Sequence, residues 1–571
     1  MTRTRRVAFM LSMLAMSFLT VGYAQDNQSS QSDDVARLKA QLAEQQKQIE
    51  QLSKTLADQK KVLDKIASST GSAPAADANA AAAAPAQPAP APSNGVHMLP
   101  NNGEVASSTP MVPPPPPPPA PRVLDPQVPA GEPSSPLQLH LGDVTIMPVG
   151  FMDATAVWRN VDAGSGIGSN FGSIPFNNAN PGGHLSEYRF SIQNSRIGFR
   201  IDANIKGAHV IGYNEFDFLG KSADNGIGVT NGAFVPRIRL YWVDVRKDQF
   251  EFLAGQSWSM LTPNRKGISP LPGDIFYSQV MDVNYVAGLT WTRQTGVRFI
   301  YHPSDKVAIG FAAENPNQYA GGNAGASTIT APSALAGLIG TQLDNTSGGY
   351  LSTPNLTPDF IAKIAFDPSS RAHVEVVGIE RNFKDWVPTT NMHFTKAGGG
   401  GSINSNLEVV KNFRVIENAY WSDGGGRYIF GQVPDVVIRS DGSLSPIHAG
   451  GTVDGFEAQL SKNFLLFTYY GAIYAGRDVA LDTNGSLVGY GFRGGSQNRL
   501  IQEFTIGYQH VLWKDAKYGA LSMITQYEWL NRDPWYVNVA SGAPKNAHDN
   551  TVYVDIRYTL PGSAPTMTGL K

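Results

Sequence analysis

Cysteine is absent from the 571 residues, which excludes disulfides, thiolate metal ligands and cysteine nucleophiles. Net charge is nearly absent too: 45 Lys and Arg against 47 Asp and Glu leave a formal −2, too little to draw the whole chain to nucleic acid or to an anionic membrane surface. Electrostatic specificity must therefore be local. Beyond the N-terminus no apolar run is long enough for a helical membrane span. Catalytic signatures are equally scarce. "GYGFRG" at Gly489 to Gly494 has the G-x-G-x-x-G spacing but no helix after it, so the phosphate-binding context fails. The histidines show no H-x-x-x-H spacing, and no G-x-S-x-G sits between a strand and a helix. The expectation is a protein that is not an enzyme and needs no cofactor or metal.

What is present falls into four regions. Thr2 to Arg6 is basic, Val7 to Val21 apolar, and Gly22-Tyr23-Ala24 ends in small residues, the pattern of a signal peptide over residues 1–24. From Asp34 to Ala67, Val35, Leu42, Ile49, Leu56 and Leu63 occupy heptad position a, with Leu38, Leu52 and Ile66 at d, so residues 34–67 read as an α-helical coiled coil that joins copies of the chain. Gln45 and Gln59 take the other two d positions and would restrict register. Residues 69–136 turn to Ala, Pro, Ser and Asn, with seven consecutive prolines at Pro113 to Pro119. Such a tract cannot bury a core and serves as an extended linker.

Residues 137–571 alternate. "YRFSIQNSRIGFRIDANI", "TWTRQTGVRFIYH" and "TVYVDIRYTL" are typical of segment after segment with period two, broken by Gly, Asn, Asp, Ser and Pro, so this region is all-β and antiparallel. Short turns ("NIKG", "RKDQ", "HPSDK", "DPSS", "SKN") alternate with long connections at 160–185, 221–235, 261–286 and 315–356. That rhythm, with strands near the roughly 9 to 11 residues that cross a bilayer, predicts a transmembrane barrel. Trp158, Trp242, Trp258 and Trp513 lie near strand ends and are expected in its aromatic girdles. About fourteen strands can be counted; a hairpin within Thr390 to Trp421, which contains Gly398 to Gly401, would make sixteen, the number expected here. A barrel of that size leaves an aqueous channel.

Charge at a narrow point decides which ions pass, and arginine's planar fork suits carboxylates. In "RIRLYW" Ile238, Leu240 and Trp242 share one face, expected toward lipid, leaving Arg237, Arg239 and Tyr241 for the lumen; beyond Trp242 the phase is less clean. In "SRIGFRIDANI" Ile197, Phe199 and Ile201 face out and Arg196, Arg200 and Asp202 in, with a bulge expected near Asn194. Arg298 follows the same logic. Glu215 and Asp217 alternate with Phe216 and Phe218 and should line the lumen too, where they could neutralise the arginines across neighbouring strands. Arg265 and Lys266 belong to the third long connection, where a loop folded into the barrel would narrow it.

The order of parts, with "SRIGFRIDA", "NEFDF", "RIRLYWVDV", "LAGQSWSML" and "DGGGRYIFG", resembles the DcaP-like trimeric porins of Gram-negative outer membranes, most clearly from Asp143 to Tyr301. The resemblance implies a sixteen-stranded homotrimer in the outer membrane that passes small anions, dicarboxylates among them, without catalysis. One departure is that "PGSAPTMTGLK" follows the last strand, where such barrels usually end on an aromatic. Competing readings are a non-selective porin, a sugar-selective porin using Phe467 and Tyr469 as a greasy track, or a tether between outer membrane and peptidoglycan.

Overall fold

The computed structural model of the protein describes residues 136–561 apart from 180, 221–233, 275–279, 322–327, 344–356, 494–496 and 538–543, together with Lys47 and Lys54. The chain divides into two compact units, Met1–Asn94 and Gly95–Lys571. In the first, Lys47 and Lys54 are helical and exposed. The expected signal peptide, the rest of the heptad segment and residues 69–135 of the expected linker lie outside the described residues.

The second unit contains sixteen long antiparallel strands: β1 (Val144–Arg159), β2 in two pieces (Glu187–Ser191 and Arg196–Ile205), β3 (Ala208–Gly220), β4 (Val235–Lys247), β5 (Phe250–Trp258), β6 (Arg293–Ser304), β7 (Val307–Glu314) and β8 (Asp359–Ser369). There follow β9 (Ala372–Val387), β10 (Met392–Val410), β11 (Phe413–Asp423), β12 (His448–Ser461), β13 (Phe464–Ala475), β14 (Asn498–Asp515), β15 (Gly519–Pro534) and β16 (Ala547–Thr559). Each pairs with its sequence neighbours, and β16 pairs with β1 from Phe151↔Thr559 to Arg159↔Thr551. The sheet is therefore closed, with no exposed edge to satisfy.

Alternation explains the wall. On β16 the inward Asp549, Thr551, Tyr553, Asp555, Arg557 and Thr559 are buried, while Val554 and Ile556 point out. The interruption between the two pieces of β2 spans Ile192 to Ser195, and it restores phase after Phe190, where a bulge was expected. The awkward stretch after Thr390 forms β10 and β11, with Gly398 to Gly401 running unbroken through β10.

The ends differ as the turn lengths predict. At one end the chain reverses tightly, and Lys206 (φ 51°) with Gly207 (φ 79°) shows why: two successive positive φ values match the twist of a two-residue hairpin. At the other end lie the long connections 160–186, 259–292, 315–358, 424–447 and 476–497. The link from β9 to β10 departs from that rule, because these strands overrun the wall and pair as far as Val387↔Met392 before turning.

The girdle expectation holds for two tryptophans and fails for two. Trp158 and Trp513 point out from opposite ends, 42% and 44% exposed, whereas Trp242 and Trp258 are 3% and 0% exposed and lie inside. Trp242 stacks on Tyr213 at 5.3 Å, and Trp258 packs edge-on against Tyr285 and Trp291.

Candidate pore constriction

The connection 259–292 leaves β5, enters the barrel and lies against its inner wall before joining β6. Polar wall side chains accept its backbone N–H groups at successive points: Glu375 from Asn264 (3.2 Å), Asp367 from Gly267 (2.9 Å), Gln526 from Met281, Glu503 from Ala287 (2.7 Å) and Asn418 from Thr290 (3.0 Å). Irregular backbone at membrane depth is tolerated only when its polar groups are satisfied this way. In return the wall donates Lys363 Nζ to the carbonyl of Thr262 at 2.8 Å. Two flanking connections brace the loop: Ser169 N–H donates to Asp282 at 2.7 Å, and Trp291 N–H to the carbonyl of Tyr428 at 2.8 Å.

Glycines let the loop lie flat on the wall. A Cβ at Gly471 would stand 2.0 Å from the Ala287 carbonyl oxygen, and one at Gly288 (φ +94°) 2.4 Å from the oxygens of Thr452 and Ala472. No side chain fits in that seam.

The arginines expected in the lumen fall into several groups. On β3 and β4, Arg237 grips Asp217 with Nε (3.0 Å) and Nη2 (2.6 Å), while Arg239 donates Nε to Glu215 (2.6 Å), Nη1 to Asp217 (2.9 Å) and Nη2 to Tyr285 of the inward loop (3.2 Å). Arg196 joins the cluster through Glu215 at 3.5 Å. Arg200 instead pairs with Asp202 on its own strand. Arg298 donates to Ser257 at 2.7 Å. Arg265 is remote from these on the loop and binds Glu457 of β12 through both terminal nitrogens, while its neighbour Lys266 is half-buried.

One face assignment is overturned. Glu215 pairs with Leu240 and Phe216 with Ile238, leaving Arg239 as an extra residue in β4. This bulge reverses the phase. Leu240 and Trp242 are consequently buried inside rather than facing lipid, and Tyr241, expected in the lumen, points out with 61% exposure. The less regular pattern beyond Trp242 was the sequence signal of this reversal.

Other inward charges went unselected in the sequence. Glu503, Glu528, Asp549 and Asp555 on β14 to β16 form an acidic arc, with Arg557 bridging to Asp153 at 3.0 Å and Arg159 to Glu187 at 2.9 Å. The alternation in "HDNTVYVDIRY" carried the signal for its β16 members. Phe467 and Tyr469 do face inward, but both are fully buried and Tyr469 donates to Glu457 at 2.7 Å. They support the loop and offer no open track.

A closed sheet with aliphatic and aromatic residues outside, charge inside and a loop seated within defines a sixteen-stranded transmembrane β-barrel. Among solved structures it is similar to the outer membrane channel DcaP of Acinetobacter baumannii: 16% identity, 73% of this chain and 97% of that one covered, TM-score 0.53. An anion-selective porin from Comamonas acidovorans is a more distant likeness at 11% identity, covering 73% and 100%, with TM-score 0.41. OmpF of Salmonella typhi stands at 12% identity, 74% and 100%, with TM-score 0.41. The chain matches no protein-family model and no curated protein sequence. In fold it is therefore the DcaP-like barrel that its sequence resembles.

Proposed function

We propose that the chain is an outer-membrane porin for passive diffusion of small hydrophilic solutes, favouring small anions such as dicarboxylates. The observation that carries this reading is the closed sixteen-stranded wall with a loop folded inside it, since a barrel of this circumference encloses water and the loop narrows it. DcaP, whose fold it shares, is described as a channel. The anion preference rests on the arginines along β2, β3's partner strand β4, and β6, and on guanidinium's fit to carboxylates. The decisive experiment is single-channel recording of the full-length protein in planar bilayers under a KCl gradient. Stepwise conductance with a reversal potential biased toward chloride supports the proposal. Absence of conductance refutes the porin reading, and a potassium bias refutes the anion preference alone.

A homotrimer is proposed with it. Glu417 and Asp454 are direct cross-strand partners on the outside of β11 and β12, and on β11 Glu417 lies midway between the outward Phe413 and Trp421. Carboxylates facing hydrocarbon are unfavourable, and two opposed like charges add to the strain. A second copy of the chain covering this face removes both from lipid.

A further inference from the structure

Arg293, the first residue of β6, shares a neighbourhood with the Arg237 and Arg239 cluster but not its ion pairs. Its guanidinium carbon lies 5.8 Å from the centre of the Trp258 ring, and that of Arg239 lies 5.5 Å from the same ring. Arg196, Arg237 and Arg239 are each engaged by Glu215 or Asp217. Among the described residues Arg293 has no ion pair and no hydrogen bond, and its Nη1 is buried without an acceptor. Trp291, two residues earlier, packs 5.7 Å from Trp258 and is 7% exposed, and its indole Nε1 also has no acceptor.

The cluster thus sets four guanidiniums against two carboxylates, with buried donors left over. Native proteins rarely leave buried donors unmatched, and an unmatched guanidinium is satisfied by what brings acceptors and negative charge. Direct ion pairs offset the charge of Arg237 and Arg239 for a passing ion, whereas Arg293 forms no direct pair and feels Asp217 only at longer range. Arg293 is only half-buried, so part of its side chain is accessible.

We propose that Arg293, with Trp291 beside it, is the residue that contacts permeating anions and sets selectivity, taking acceptor-only species such as chloride or a carboxylate. The proposal rests on the porin reading and deepens it. Its test uses full-length protein in planar bilayers under a KCl gradient. Arg293→Gln is expected to lower the chloride-to-potassium permeability ratio about threefold or more, and Arg293→Lys to retain most of it. Wild-type chloride preference left unchanged by Arg293→Gln overturns this assignment while leaving the porin reading intact; a wild-type channel that conducts without anion preference overturns this assignment together with the anion preference, and only absence of conductance overturns the porin reading. If Arg293→Gln does not insert, Trp291→Phe removes the neighbouring donor at constant charge and should shift the ratio in the same direction. An unchanged ratio in that variant also overturns the assignment.

Discussion

Replacing Gly471 by alanine tests whether the inward loop lies on the wall as closely as its hydrogen bonds indicate. The new Cβ would stand 2.0 Å from the Ala287 carbonyl oxygen and 2.7 Å from a Val286 methyl. Ordinary contact begins near 3.4 Å, so the loop must withdraw by about 1.4 Å or β13 must bend outward. Withdrawal stretches the 2.7 Å bond from Ala287 N–H to Glu503 to roughly 4 Å, beyond hydrogen-bonding range. Leaving the buried amide N–H without its acceptor costs about 1–3 kcal/mol, and overpacking adds a penalty of similar size where neither side yields. Gly378 on β9 is the matched control, because a Cβ there meets nothing within 4 Å. The assay is urea unfolding of both variants refolded into the same lipid, with single-channel conductance beside it. Gly471→Ala is expected to lose about 2–4 kcal/mol relative to Gly378→Ala and to change conductance as the constriction shifts. Equal unfolding midpoints with unaltered conductance would show that the loop does not rest on β13.

Three further outcomes follow from individual contacts. Asp217→Asn strips Arg237 and Arg239 of their shared carboxylate; it should raise the chloride-to-potassium permeability ratio and cost about 3 kcal/mol in stability, as a broken buried pair does, and a ratio that falls would contradict the geometry. Arg265→Ala frees the base of the loop from Glu457, so its conductance trace should become noisier and Glu457→Gln should reproduce the effect without adding to it, since the two act as one unit. Asp454→Trp places bulk on the outward face assigned to contact between copies; light scattering in detergent should show a smaller assembly of intact barrels, and an unchanged mass would exclude that face.

Strand positions were legible because the wall separates two environments, and every strand records this as period two. The same physics made β16 and the turns at "NIKG" and "RKDQ" recognisable, whereas β10 and β11 were reached only as the hairpin that brings fourteen strands to sixteen. Legibility failed where one extra residue changed the phase. Arg239 bulges, so strict alternation assigned Leu240, Trp242 and Tyr241 to the wrong faces although it placed Arg237 and Ile238 correctly. The two misplaced girdle tryptophans share another cause: proximity to a strand end in sequence does not say which side of the wall a side chain occupies. Loop contacts were illegible altogether. Nothing local to Gly471 or Glu503 announces that residue 287 will lie against them, because that contact depends on a path of the chain that no periodicity encodes.

The inner charges perform two roles that sequence cannot separate and pairing can. A loop laid against a barrel wall presents amide N–H groups that need acceptors, and this wall supplies them from Glu375, Asp367 and Glu503. Those carboxylates are needed for the loop whatever ion passes, and a buried carboxylate needs a cation beside it to remain ionised in a low dielectric: Glu375 has Lys363, and Glu457, which grips the loop itself, has the loop's Arg265. An arginine row is thus partly a consequence of folding a loop into a barrel. Selectivity must come from whatever charge remains after that scaffold is neutralised. By this criterion the regular alternation of Arg237 and Arg239, the most conspicuous feature of the sequence, is mostly scaffold, and the unpaired Arg293 carries more information about what the channel admits.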